Sequence, residues 1–187
     1  GTILTVEQLR AAKKAGAVFG VAPGFDPVIM AAAKAEQIPF CPGIATASEL
    51  SQALTAGAPM VKFFPAEAAG GVKMIKNLLG AFRFTGVKFM PTGGVNLSNV
   101  GDYLAVPEIV ACGGTWIVPK DALAAGDYAA IEKLAADAPI LMSTGPVNDV
   151  FVICWLLFLT ASSETGASSM ASIPLPRYST RKSKIVY

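Results

Sequence analysis

Lys62 is the residue of this sequence best placed to act as a nucleophile. It lies within the apolar segment Met60–Phe64 of the stretch MVKFFPAE. In a strand, successive side chains alternate between two faces, so Lys62 and Phe64 share one face. Burial of a lysine on an interior face disfavours its charged form and lowers its pKa. The neutral amine can then attack a carbonyl carbon and form a Schiff base.

A second lysine has the same local pattern. Lys88 stands three residues before Pro91, just as Lys62 stands three residues before Pro65. Either lysine could instead extend its ammonium group into water from the end of a strand. The residues by themselves do not decide which lysine is the nucleophile.

The sequence contains no histidine, which excludes catalytic triads, Cys-His dyads, His-ligated zinc sites and a histidine general base. Glu67 is the carboxylate nearest to Lys62, and we expect it to cap or to pair rather than to act as a base. Cys41 and Cys112 lie at apolar strand positions, which predicts core residues. Together with Cys154 they form no CxxC pair and no disulfide framework, which is typical of a reducing, cytoplasmic environment.

Two glycine pairs follow predicted strands. Gly93-Gly94 comes after Pro91-Thr92, and Gly113-Gly114 precedes Thr115-Trp116. Bare backbone N–H groups at such positions of a barrel often hold a phosphate group. The alternative is that both pairs form tight turns that need positive φ angles. The occurrence of both pairs after the last two strands favours phosphate binding.

The elements that must position these residues alternate between strands and capped helices. Thr5 with Gln8 and Thr46 with Glu49 form capping boxes, and Asp26 is an N-cap before Pro27. The predicted strands are Val18–Ala22, Phe40–Ile44, Met60–Phe64, Val87–Met90 and Ile109–Cys112. The predicted helices begin after Thr5, Asp26 and Thr46 and then run over about 72–80, 97–105 and 128–138.

Strands alternating with helices predict an α/β fold with parallel strands and right-handed crossovers. A doubly wound sheet and a (β/α)₈ TIM barrel both fit. The barrel is favoured because no GxGxxG motif follows the first strand and because Gly, Pro, Thr and Lys cluster at strand ends. About five βα units of the eight, strands 4–8, are expected here.

Residues 139–187 differ in composition from the rest of the chain. They contain the apolar run Val150–Leu159 and a basic end, whereas we assign residues 1–138 to the partial barrel. The run is too short to span a bilayer, which needs about 20 apolar residues. A non-native extension is favoured over a buried helix or strand packed on the barrel, and over a membrane or partner anchor. A net charge of +2 is a poor basis for nucleic-acid binding.

The combined motifs resemble one family. GTILTVEQL, FGVAPGF, FCPGIATASEL, VKFFPAEAAGGV, FMPTGGV and ACGGTWIVPKDALAAGDY, in this order, are similar to the 2-dehydro-3-deoxy-phosphogluconate (KDPG) and 4-hydroxy-2-oxoglutarate (KHG) aldolases. The resemblance covers about residues 1–138. It implies a class I aldolase of the Entner–Doudoroff pathway, usually a homotrimer without metal or organic cofactor, that cleaves 2-dehydro-3-deoxy-6-phosphogluconate into pyruvate and glyceraldehyde 3-phosphate.

The resemblance also assigns roles to single residues. Lys62, rather than Lys88, matches the Schiff-base lysine of the family. Thr2 and Pro23 match the pyruvate side, and Thr115 stands where relatives commonly have serine. The substrate-binding residues that the resemblance implies are Thr2, Pro23, Thr92, Gly93, Gly94, Gly114 and Thr115.

One departure from the family is expected to matter. The acid/base glutamate and the carboxylate-binding arginine of the family lie on its first strands, whereas Gly1-Thr2 matches only the end of the third. We therefore expect this chain to be inactive or very weak unless those units are supplied. The alternatives are a non-catalytic barrel fragment that retains a phosphate-binding loop pair, and a phosphate-binding isomerase or epimerase, which gives no reason for a buried lysine before FPAE.

Overall fold

The computed structural model describes residues 2–142 and 151–153. Short parallel strands alternate with helices along the chain, so the predicted α/β class with parallel strands is confirmed. The strands are β1 (Gly20–Val21), β2 (Phe40–Cys41), β3 (Gly43–Ile44), β4 (Met60–Phe63), β5 (Lys88–Pro91), β6 (Ala111–Gly113) and β7 (Phe151–Ile153). The helices are α1 (Val6–Lys14), α2 (Pro27–Ala35), α3 (Ala47–Thr55), α4 (Gly71–Phe82), α5 (Val100–Leu104), α6 (Lys120–Ala125) and α7 (Tyr128–Met142).

The strands pair in parallel and largely in chain order. β1 pairs with β2, β4 lies between β3 and β5, and β6 pairs with β7. Single parallel bridges join Phe89 to Ile109 and Thr92 to Gly113, and so connect β5 to β6. Helices follow the strands as crossovers, as parallel pairing requires. The carboxyl ends of these strands therefore point to one edge of the sheet.

The two faces of the sheet have different surroundings. Val61, Phe63 and Phe89 are fully buried on one face, in the main core cluster that also holds α4 residues such as Ile75 and Leu79. The other face presents Lys62, which pairs in register with Gly43 on one side and Met90 on the other. Parallel partners in register point to the same side. Lys62 therefore lies on the same face as Gly43 and Met90, opposite the face that packs against α4.

The three helix starts that were predicted from capping residues are confirmed in detail. The Thr5 hydroxyl accepts from the Gln8 N–H at 3.2 Å and the Gln8 side chain accepts from the Thr5 N–H at 3.2 Å. Thr46 and Glu49 make the same reciprocal pair. The Asp26 carboxylate accepts from two N–H groups of the first turn of α2. These caps fix where each helix leaves the strand that precedes it.

Several predicted boundaries were wrong. The single strand expected over Phe40–Ile44 is divided at Pro42, which has no N–H to donate to a ladder. The helix expected from Leu97 begins at Val100 instead, because the side chains of Asn96 and Asn99 accept backbone N–H groups and hold a turn before it.

Two further features lie near the end of the described chain. Helix α6 was not predicted from the sequence, and α7 continues to Met142, past the expected end at 138. Phe151–Ile153, within the apolar run, forms β7 beside β6, in register with Ala111–Gly113. That pairing matches the alternative of a strand packed on the sheet, while the rest of the run lies outside the described residues. No described helix is long and apolar enough to cross a bilayer.

Candidate active site

Lys62 is fully buried, with a relative exposure of 0%. Its ammonium nitrogen lies 4.6 Å from the centre of the Phe64 ring, and its backbone N–H donates to the Pro42 carbonyl at 2.8 Å. Desolvation lowers the pKa of Lys62 from 10.5 to about 8, and the Cys41 thiol opposes this effect. Near neutral pH, the amine of Lys62 is therefore uncharged in a larger fraction of the molecules than the amine of an exposed lysine would be.

The structure separates the two lysines that the sequence left equivalent. Lys88 is exposed at the first position of β5, whereas Lys62 is the third residue of β4 and is buried. Both point to the same side of the sheet, because Lys62 pairs with Met90, two residues after Lys88. Of the two, Lys62 lies nearer the carboxyl end of its strand and is the one whose side chain is buried.

Thr92 lies beside this lysine at the end of β5. It is 4% exposed, and its hydroxyl makes no hydrogen bond to any described residue. Its N–H donates to Phe63 at 3.0 Å, and its carbonyl accepts from the N–H of Ala66 at 2.8 Å. A buried hydroxyl of this kind is suited to bind a polar group of a ligand.

Gly93 and Gly94 form a turn immediately after Thr92, with φ angles of 95° and 85°. A Cβ atom on Gly93 would lie 3.2 Å from the Phe64 ring, and one on Gly94 would lie 2.6 Å from Cγ of Glu67. The Gly93 N–H lies on the side of the strand that bridges to β6 at Thr92 and Gly113, whereas the N–H of Gly94 donates to no described residue. Neither residue carries a side chain, so the turn presents the Gly94 N–H as an open donor with a second N–H beside it.

Phe64 connects this turn to the lysine. Its ring lies 4.6 Å from the Lys62 nitrogen and also occupies the space next to Gly93, where a Cβ atom would be 3.2 Å from it. The Glu67 N–H donates to the Gly93 carbonyl at 3.0 Å. The predicted residues Lys62, Thr92, Gly93 and Gly94 are thus brought together at the carboxyl ends of β4 and β5.

Gly114 and Thr115 follow the neighbouring strand β6, and the alternative explanation of a tight turn with positive φ does not hold for Gly114. Its φ of −151° is extended, so positive φ does not require a glycine there. A Cβ atom would overlap the Trp116 ring and lie 2.7 Å from the Val95 carbonyl oxygen. Space, rather than backbone conformation, requires glycine. Thr115 is exposed and begins a short 3₁₀ turn.

Thr2 and Pro23 lie beside β1, the first of the described strands. Thr2 bridges to Val21 in β1, and Pro23 follows the carboxyl end of that strand after Ala22. The Gly43 N–H donates to the Gly24 carbonyl at 3.1 Å, and a side chain on Gly43 would overlap the backbone of Pro23. The loop after β1 is therefore held against the strand that pairs with the lysine strand.

Glu67 pairs beyond the strand, as expected, and its partner was missed from the sequence. Its carboxylate accepts the hydroxyl hydrogen of Tyr103, which is fully buried. Burial raises the pKa of the Tyr103 hydroxyl, and the Glu67 carboxylate adds to the effect, so the tyrosine remains a donor. Tyr103 lies in α5, 36 residues after Glu67, and no local pattern in the sequence links them.

The remaining groups have structural environments. Burial raises the pKa values of Cys41 and Cys112 to about 12, which agrees with the expected core positions. Within residues 2–142 and 151–153, no three His, Cys, Asp or Glu side chains cluster in a way that could hold a metal ion. A pocket of about 410 Å³ is lined by Glu67, Gly70, Gly71, Val72, Asn99, Asp102 and Tyr103.

Known proteins share this arrangement. A family model described as KDPG and KHG aldolase matches residues 1–134. The 2-dehydro-3-deoxy-phosphogluconate aldolase of Treponema pallidum (strain Nichols) is 47% identical over 135 residues, 72% of this chain and 63% of that protein. The KHG/KDPG aldolase of Escherichia coli (strain K12) is 46% identical over 138 residues, 74% of this chain and 64% of that protein. The chain thus spans slightly less than two thirds of the length of these relatives.

Solved structures agree with the sequence comparison. The KDPG aldolase of Legionella pneumophila, with pyruvate captured at low pH as a covalent carbinolamine intermediate, superimposes with a TM-score of 0.69 at 39% identity, over 76% of this chain and 66% of that one. The 2-keto-3-deoxy-6-phosphogluconate aldolase of Zymomonas mobilis ZM4 with 3-phosphoglycerate superimposes with a TM-score of 0.61 at 38% identity, over 64% of this chain and 56% of that one. The match over residues 1–134, together with these relatives, shows that the chain belongs to the KDPG and KHG aldolase family.

Proposed function

We propose that this protein is a class I aldolase that acts on 2-dehydro-3-deoxy-6-phosphogluconate and that Lys62 forms the Schiff base. The observation that carries the proposal is the complete burial of Lys62 on the interior face of the sheet, with its pKa lowered to about 8. Lys88, the competing lysine, is exposed. A relative forms a covalent carbinolamine with pyruvate, which supports a nucleophilic amine in this family.

The chemistry follows from the amine. Neutral Lys62 adds to the 2-keto carbon to give a carbinolamine, which loses water and becomes an iminium ion. The iminium accepts the electron pair of the breaking carbon–carbon bond as the hydroxyl proton of the substrate leaves, which releases glyceraldehyde 3-phosphate. The enamine that remains takes up a proton on carbon, and water then hydrolyses the imine to release pyruvate and the free amine. No metal or organic cofactor is required by these steps.

The ends of the substrate fit the neighbouring groups. We assign the phosphate to the glycine turn at Gly93-Gly94, with Gly114 and Thr115 on the neighbouring strand end, because the turn has no side chains and its Gly94 N–H donates to no described residue. The Zymomonas relative was solved with a phosphorylated ligand, 3-phosphoglycerate. We assign the pyruvate end to Lys62, with the buried Thr92 hydroxyl after β5 as a second polar group and with Thr2 and Pro23 beside β1.

The proton transfers need a general acid and base in addition to Lys62. We do not assign this role to Glu67, because its carboxylate accepts the Tyr103 hydroxyl hydrogen through Oε1. The family resemblance assigns this role to a glutamate outside the matched strands. We therefore expect the chain alone to form the imine but to cleave substrate very weakly.

Three broader proposals accompany this function. Residues 1–138 form the aldolase domain and contribute strands 4–8 of a (β/α)₈ barrel. Residues 139–187 are not part of the family domain, although α7 extends into them and β7 pairs with β6. The working protein is a cytoplasmic homotrimer. The parallel order of β3, β4 and β5, with a helix after each, supports the barrel proposal.

Borohydride reduction in the presence of pyruvate, followed by peptide mapping, tests the function. We expect a reduced pyruvyl adduct on Lys62 and none on Lys88. An adduct on Lys88 would reject the residue assignment. No adduct at all, under conditions in which a full-length relative forms one, would favour the non-catalytic fragment that keeps only the phosphate-binding turn.

A further inference from the structure

The side chain of Glu67 is divided between two environments. Its methylene groups lie against Gly94, where a Cβ atom would be 2.6 Å from Cγ and 2.7 Å from Cβ of the glutamate. Its carboxylate lies against Gly71, where a Cβ atom would be 3.3 Å from Oε1, and accepts the Tyr103 hydroxyl. The apolar part of the glutamate thus faces the glycine turn and its charge faces away.

This orientation matters for an anion site. The Gly94 N–H group donates to no described residue and can bind an anion, and a carboxylate is itself an anion that backbone N–H groups attract. Glu67 follows the lysine strand, and its own N–H already donates to the Gly93 carbonyl at 3.0 Å. Without a partner elsewhere, its carboxylate would compete with a phosphate for the turn.

We propose that Tyr103 and Glu67 are positioning residues that keep the glycine turn open for the phosphate end of the substrate. Tyr103 holds the Glu67 carboxylate away from the turn, and the Glu67 methylenes support Gly94 from below. The Asn96 and Asn99 side chains hold the Gly94 carbonyl from the other side, each at 3.1 Å. This inference rests on the proposed function, since it takes the turn to be the phosphate site.

Inorganic phosphate is the probe, titrated against the ¹⁵N-labelled full chain while the amide resonances of Gly93 and Gly94 are followed. Tyr103→Phe keeps the ring but releases the carboxylate, and we expect the phosphate dissociation constant to rise about tenfold, on the scale of one charged hydrogen bond. Tyr103→Phe combined with Glu67→Gln removes the competing charge and should return the constant to within about threefold of the wild-type value. Tyr128→Phe, at an exposed tyrosine, is the matched control and should change nothing.

Pyruvate trapping on Lys62 is measured in parallel, because it reports on the lysine and not on the turn. Loss of phosphate affinity with trapping retained is the expected pattern. Wild-type phosphate affinity in Tyr103→Phe, no recovery in the double variant, or no phosphate response at Gly93 and Gly94 in the wild type would each overturn the inference. Failure of wild-type trapping with an intact phosphate response would reject only the proposed aldolase chemistry.

A second variant covers the case in which Tyr103→Phe does not fold, as judged by circular dichroism. Glu67 is exposed, so Glu67→Ala should fold, but it removes the methylenes under Gly94. We expect weaker phosphate binding with unchanged pyruvate trapping. Unchanged phosphate binding in Glu67→Ala would contradict the supporting role.

Discussion

The pH dependence of imine formation tests the central feature of the site, the desolvated Lys62. Its pKa lies at about 8 in place of 10.5. At pH 7, about 9% of such a lysine is neutral, against about 0.03% of an ordinary one, so burial increases the nucleophilic fraction roughly 300-fold. The rate of adduct formation with pyruvate should rise about tenfold per pH unit below pH 8 and stop rising near pH 8.

The assay is cyanoborohydride trapping at a series of pH values, with the adduct on each lysine quantified by mass spectrometry. Lys88→Met is the matched control, because it removes the exposed lysine of the same local sequence and should leave the profile unchanged. Lys62→Met should give no adduct. A rate that continues to rise through pH 10, or an adduct that disappears in Lys88→Met, would refute the reasoning from burial.

Three further outcomes follow from the structure. Lys62→Met should raise the free energy of unfolding by about 3 kcal/mol at pH 7, measured with urea. The wild-type protein bears the full cost of burying the lysine charge below pH 8, and this cost vanishes as the pH rises to 10.5. The stabilisation by Lys62→Met should therefore disappear near pH 10.5. Gly94→Ala should cost about 1–3 kcal/mol because φ is positive and should abolish the phosphate response, whereas Gly80→Ala, within α4 with open space around it, should stabilise by about 0.5–1 kcal/mol. Thr46→Ala should cost about 1 kcal/mol in thermal unfolding through loss of its cap, with the trapping of pyruvate unchanged.

The fold class and the helix starts could be predicted because their signals are local. A capping box needs only two residues three positions apart, and both boxes form as expected. Boundaries were less predictable where side chains compete with the backbone. Asn96 and Asn99 delay α5 until Val100 through hydrogen bonds that a helical periodicity does not reveal.

In the candidate site, too, features with local sequence signals could be predicted and features that depend on the tertiary fold could not. The pattern of Lys62 before FPAE and the glycines after β5 could be found in the sequence, since both are short motifs. The choice between Lys62 and Lys88 could not, because it depends on depth within the sheet, which follows from strand register. Tyr103 could not be found either, since its contact with Glu67 joins residues 36 positions apart through tertiary packing.

Two backbone hydrogen bonds make the lysine strand and the glycine turn one rigid unit: Ala66 N–H donates to Thr92, and Glu67 N–H donates to Gly93. Under the proposed function, a substrate is bound covalently to Lys62 at one end and through its phosphate to the glycine turn at the other. The distance between Lys62 and the turn then sets the length of the substrate that fits. A keto acid one carbon shorter or longer cannot satisfy both ends at once. The backbone would then determine which substrate length is accepted. Substitutions of the surrounding side chains would change the affinity for a substrate but not the accepted length.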